Sequence, residues 1–167
     1  MKFFKKSFLA ITISMIVLIC SNTAFAASTN TENSTTSLEY TEDGYIIETV
    51  ISDIPDNNTL TPTVSTSSTS KTISKSKTTY VKNSSGAVLW YVKVNASFTY
   101  DGTTSKCTSC SGSASAPASA WSISSITSSR SGNSATATAI AVYSSATASN
   151  SYTKSVTIKC SATGVVS

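Results

Sequence analysis

"AVLWYVKVNASFTYDG", residues 87–102, decides the fold class. Its even positions are Val88, Trp90, Val92, Val94, Ala96, Phe98 and Tyr100, all apolar or aromatic. From Lys93 onward the odd positions are Lys93, Asn95, Ser97 and Thr99, all polar. An exact period of two is the signature of a strand with one buried face. Burying such a wall is worth about 1.5–3 kcal/mol for each large apolar side chain.

The surrounding sequence has the same character. From Ser67 onward the chain holds one Leu (Leu89), no Glu, Gln or Met, and 43 Ser or Thr among 101 residues. The strong helix formers are missing, and Thr, Val, Ile and Tyr suit pleated, half-buried surfaces. Turn signals recur at "NSSG" (83–86), "DG" (101–102), "SGS" (111–113), Pro117, "SGN" (131–133) and "ASNS" (148–151). They delimit six strands, with "YIIETVI" (45–51) as a possible seventh. One-sided strands of this kind predict an all-β, antiparallel sandwich with wet outer faces. Ala135, Ala137, Ala139 and Ala141 form a small-residue face expected to lie under Trp90 or Trp121.

The chain opens with Lys2, Lys5 and Lys6, an apolar run from Phe8 to Cys20, and "AFA" at 24–26. This reads as a signal peptide over 1–26. The run is short of the ~20 residues a spanning helix needs. A lipoprotein reading through Cys20 is weaker, because Ile19 stands where a small residue is wanted. No later stretch is long enough to span a membrane, so the expected location is secreted or cell-surface associated.

The mature sequence divides by charge. Between Ala27 and Thr66 stand seven acids and no base; from Ser67 onward stand nine bases and one acid, Asp101. Residues 27–69 read as a largely disordered acidic linker or pro-segment, with "DNNTLTPTVSTSSTS" (56–70) as a flexible tether. Residues 70–167 read as one basic domain.

Three cysteines lie beyond the signal peptide: Cys107, Cys110 and Cys160. In an exported chain a disulfide is the default. Cys160 falls on the core face of the last strand, and Cys107 is its expected partner, closing a loop worth roughly 4 kcal/mol. Cys110 is then a free thiol. A local Cys107–Cys110 bridge is the alternative. A metal is disfavoured because the chain has no His. The order Cys107, Trp121, Cys160 parallels immunoglobulin domains, although Ile158 stands where their tyrosine corner would be.

Several chemistries are excluded. Without His there is no Ser–His or Cys–His nucleophile. Asp101 is the basic half's one carboxylate, so two-carboxylate glycoside hydrolysis is out. No phosphate-binding glycine loop is present. No catalytic residue and no cofactor are expected.

The basic residues offer a binding reading. Lys71, Lys75 and Lys77 share one parity on their strand, and Lys93 points away from the core beside Tyr91. With Leu89 they make a candidate surface for an anionic cell-wall polymer, unless "YIIETVI" covers Leu89 and Tyr91. The bland reading is a solubilising surface that guards edge strands. No nucleic-acid motif is visible. Alternatives from other classes are a secreted, bacteriocin-like effector and a self-associating surface subunit that pairs through an exposed strand.

"TYVKNSSGAVLWYVKVNASFTYDGTTSKCTSCS", "SAWSISSITSSRSGNSATATA" and "SVTIKCSATG" together resemble a group of small, uncharacterised secreted proteins of Gram-positive Firmicutes. The resemblance covers about residues 70–167, and "EDGYIIETVI" is similar too. It implies an exported all-β domain, with the cysteine pair at Cys107 and Cys160 and Cys110 as an extra thiol. It carries no activity with it.

Overall fold

A computed structural model describes residues 28–31, 34–54 and 70–167. The signal peptide expected at 1–26 lies outside the described residues, as does the tether expected at 56–70 except for Ser70. The rest is all-β and forms two antiparallel sheets.

The first sheet contains β1 (Ser28–Thr31), β2 (Ser34–Tyr40), β3 (Ile46–Asp53), β4 (Lys71–Lys82), β5 (Val88–Tyr100) and β6 (Ser105–Ser115), side by side in chain order. The second contains β7 (Trp121–Ser131), β8 (Ser134–Ser144) and β9 (Ser149–Lys159), again in chain order. The two sheets face each other as a sandwich. Every ladder joins strands adjacent in sequence, whereas immunoglobulin domains use Greek-key connections that cross between sheets. The likeness to that fold therefore stops at the sandwich, and the described strands number nine rather than six or seven.

β5 forms the core wall that its alternation predicts. Trp90, Val92, Val94, Ala96 and Phe98 are each no more than 2% exposed. Residues directly opposite in a ladder share a face. The core face of the first sheet therefore continues through Val81 on β4, and through Cys107 and Gly112 on β6. From the second sheet come Trp121, Val156, Ile158 and the four alanines of β8, all four fully buried. The alanines serve close approach of the sheets. A Cβ added at Gly112 would lie 3.1 Å from the Ala137 Cβ and 3.2 Å from the Ser128 Cβ. Small residues on both sides of this contact let the sheets pack at van der Waals distance. Ala137 thus sits against β6, and the tryptophans stack on each other with ring centroids 6.2 Å apart.

The acidic segment is the main departure from the sequence reading. Ser34–Tyr40 and Ile46–Asp53 are strands, and β3 pairs along β4 from Ile46↔Lys82 to Asp53↔Lys75. β4 would otherwise present an unpaired edge, and β3 satisfies its backbone groups. The alternation of "YIIETVI" turns Ile47 into the core at 8% exposure. The turn between β2 and β3 is ordered by its own hydrogen bonds: Tyr45 N–H donates to Thr41 Oγ1 (3.0 Å) and Gly44 N–H to the Thr41 carbonyl (3.0 Å). Gly44 has φ +80°, which favours glycine.

Candidate binding surfaces

The ladder registers separate the candidate surface into two faces. Lys77 lies opposite Val94 and Lys75 opposite Ala96, so both share the inner face with the core wall. Lys71, opposite Tyr100, has the same parity and is exposed at the strand end. Lys93 lies opposite Thr78, and Tyr91 opposite Tyr80, on the outer face that the second sheet does not cover. The expected strip of Lys71, Lys75, Lys77, Leu89, Tyr91 and Lys93 is therefore not continuous. Parity within one strand cannot reveal this, because the relative phase of two strands depends on their register.

The acidic strand engages part of the basic set. Lys75 is ion-paired to Asp53, and Lys82 Nζ lies 2.6 Å from Glu48 Oε2. Burial holds the Lys77 ammonium below its ordinary pKa. On the outer face Tyr91 packs on Tyr80 with ring centroids 5.6 Å apart, and Lys82 Nζ stands 5.8 Å from the Tyr80 ring centre. β3 pairs with β4, so "YIIETVI" does not cover Leu89 or Tyr91, and both are half-buried on β5. Lys93 makes no ion pair among the described residues. Tyr80 was missed by sequence reading, although its parity opposite to Lys77 and Val81 could have placed it here.

The cysteines correct a second expectation. Cys107, Cys110 and Cys160 are free thiols, and the Cys107–Cys160 disulfide is not formed. The Cys107 thiol donates to the Ser109 carbonyl (3.1 Å) and the Cys160 thiol to the Ser161 carbonyl (3.4 Å). Their backbones flank the β7–β8 turn. Cys107 N–H donates to the Gly132 carbonyl (2.8 Å) and Cys160 N–H to the Asn133 carbonyl (3.0 Å). The turn, rather than a covalent link, ties the two strands. Cys110 donates to the Ser129 carbonyl at 3.4 Å, and Arg130 caps the Cys107 and Thr108 carbonyls. Burial first, then nearby Cys110, raises the Cys107 pKa.

Asp101 closes a turn: its Oδ1 accepts from Thr104 N–H (2.7 Å) and Thr103 N–H (2.8 Å). These bonds hold its carboxyl below the ordinary range. Among the described residues no three His, Cys, Asp or Glu side chains gather in a metal-binding group. Also among them, no helix is long and apolar enough to cross a membrane.

One concave site lies at the end of the sandwich where the β2–β3 turn meets β9. Trp90 and Trp121 form its floor, and Tyr45 and Tyr152 stand at its sides. Tyr152 lies 5.1 Å from Trp121, and Tyr45 meets Trp121 edge-on at 6.4 Å, centroid to centroid. Burial, then Tyr152 beside it, keeps the Tyr45 phenol above its ordinary pKa. The two tryptophans were legible in sequence as core residues. The tyrosines that meet them were not, because one comes from the β2–β3 turn and the other from β9, far apart in the chain.

No family model, curated protein or solved structure matches the chain.

Proposed function

We propose that the chain is a non-enzymatic exported protein that associates with the cell envelope. Its contact surface is the outer face of the first sheet around Tyr91 and Lys93, with Leu89 turned to the core instead, and its partner is an anionic cell-wall polymer. The observation that carries this reading is the uncovered patch in which Tyr91 packs on Tyr80 beside Lys93. Aromatic faces supply contact area at low entropic cost, and an ammonium without an acidic neighbour is available to a phosphate or carboxylate. The inner-face lysines contribute less. Lys75 is neutralised by Asp53, and Lys77 is half-buried.

The test is co-sedimentation of the mature chain with isolated Gram-positive cell walls at low and high salt. The chain is expected to pellet at low salt and to be released at high salt, because exposed charge contacts are screened within ~8 Å at physiological ionic strength. Lys93→Gln combined with Tyr91→Ser is expected to reduce the pelleted share. Pelleting that ignores both salt and this double substitution would overturn the assignment.

A further inference from the structure

The first sheet has six strands and the second has three. β9 lies against β4 and β5, and among the described residues no strand of the second sheet approaches β2 or β3. The inner faces of β2 and β3 therefore form a ledge beside β9. Ser37 is exposed on it, and Thr49 and Ile51 are half-buried. A hollow lies at each end of the ledge. The aromatic one, around Tyr45, Trp121 and Tyr152, measures about 170 Å³ and is bordered by Ile47. The other measures about 260 Å³ and lies where Ile51 and Lys77 meet the C-terminal residues Val166 and Ser167. Ile47 and Ile51 are four residues apart on β3, a distance of about 13 Å in a strand.

β9 presents a backbone edge to this ledge. Lys159 exchanges both of its backbone hydrogen bonds with Ser167, each 3.0 Å long, whereas Cys160 N–H turns to the Asn133 carbonyl on the β8 side. Successive residues of a strand direct their backbone groups to alternate sides, and the β8–β9 register is unbroken from Lys159 to Ser149. Thr157, Ser155 and Thr153 therefore point N–H and C=O the same way as Lys159, away from β8. Among the described residues no strand pairs with them there. The pairing of Ser167 shows that this edge accepts a strand.

The lining narrows the occupant. Lys77 is half-buried at the second hollow and makes no ion pair among the described residues, so a carboxylate would complete it. The aromatic hollow suits a large apolar side chain, since about 150 Å³ holds a benzene ring. Asp43 and Lys154 also line it, and their opposite charges add no net preference. In an extended chain, residues four apart face the same side at the spacing of the two hollows.

We propose that this slot binds an extended peptide segment of a partner protein as a fourth strand beside β9, with an acidic side chain on Lys77 and a large apolar side chain, four residues away, in the aromatic hollow. Main-chain bonds to β9 supply affinity, and the two hollows supply specificity. The slot is separate from the outer face around Tyr91 and Lys93.

The mature chain is titrated with the capped pentapeptides Glu-Thr-Val-Thr-Phe and Phe-Thr-Val-Thr-Glu, which cover both strand directions, and with the Gln counterpart of each. Trp121 lines the aromatic hollow, so tryptophan emission reports on occupancy. One direction should bind saturably and about tenfold tighter than its Gln counterpart, the worth of one charge-assisted hydrogen bond. Lys77→Gln should bring the two to near-equal affinity. On binding, the amides of Thr153, Ser155 and Thr157 should slow in hydrogen exchange, a readout that needs no variant. Ser155→Pro removes an edge N–H that the β8 ladder does not use. It should abolish binding while the chain stays folded. Lys93→Gln should leave the titration untouched, which separates this slot from the outer-face reading. No binding of either peptide up to about 1 mM, a Glu preference that survives Lys77→Gln, or exchange protection that falls elsewhere than β9 would each overturn the proposal.

Discussion

Cysteine chemistry in this molecule follows from position rather than from spacing. Cys107 and Cys160 are buried, while Cys110 is half-buried on the edge strand β6. The thiolate is the reactive form, and burial raises the Cys107 pKa above 9.0, its ordinary value. Iodoacetamide at neutral pH is therefore expected to modify Cys110 first, with all three reacting only in denaturant. Mass mapping of the alkylated chain reads this order, and early labelling of Cys160 would contradict the packing. The same shift has a stability sign. The Cys107 contribution is fully present below pH 9.0 and is lost as pH rises through the higher folded value. The sequence placed Cys160 on a core face and named Cys110 as the odd thiol. It could not show that the β7–β8 turn lies between Cys107 and Cys160, because that turn belongs to neither strand.

Strand β3 shows how an element with a weak local signal becomes part of a sheet. It brings two ion pairs and one core side chain to the edge of β4. Partly exposed ion pairs are worth about 0–1 kcal/mol each. Ile47, at 8% exposure, is worth more: replacing a buried Ile with Ala costs about 2–5 kcal/mol. Apolar burial and the β3–β4 ladder therefore dominate, and the opposite charges select the partner edge. Ile47→Ala is expected to lower the denaturation midpoint clearly, whereas Asp53→Asn should move it little. Equal effects in urea titrations would mean that charge, not packing, holds β3. The alternation of "YIIETVI" marked a possible strand in the sequence. The acidic, hydroxyl-rich residues around it gave no such sign, since β2 and β3 gain their order from β4.

At the scale of the whole molecule, the described acidic and basic parts form one sandwich, and the aromatic cavity needs both. A chain beginning at residue 70 would lack Tyr45, Ile47 and the β2–β3 turn, and would expose the long edge of β4. It is expected to melt below the mature chain, to show red-shifted tryptophan emission, and to self-associate with rising concentration through that edge. Sedimentation velocity and thermal melts test this, and a monomer as stable as the mature chain would make β2 and β3 dispensable. The sequence by itself determined the all-β class, the turn positions of the basic half and the core wall of β5. Those are readable because the two-residue period is a property of each strand alone. The tertiary structure decided that β3 covers β4, that Lys75 and Lys77 lie on the opposite face from Tyr91 and Lys93, and that Trp90, Trp121, Tyr45 and Tyr152 meet in one cavity. Each of these depends on the register and pairing of separate strands, where a shift of one residue exchanges the two faces.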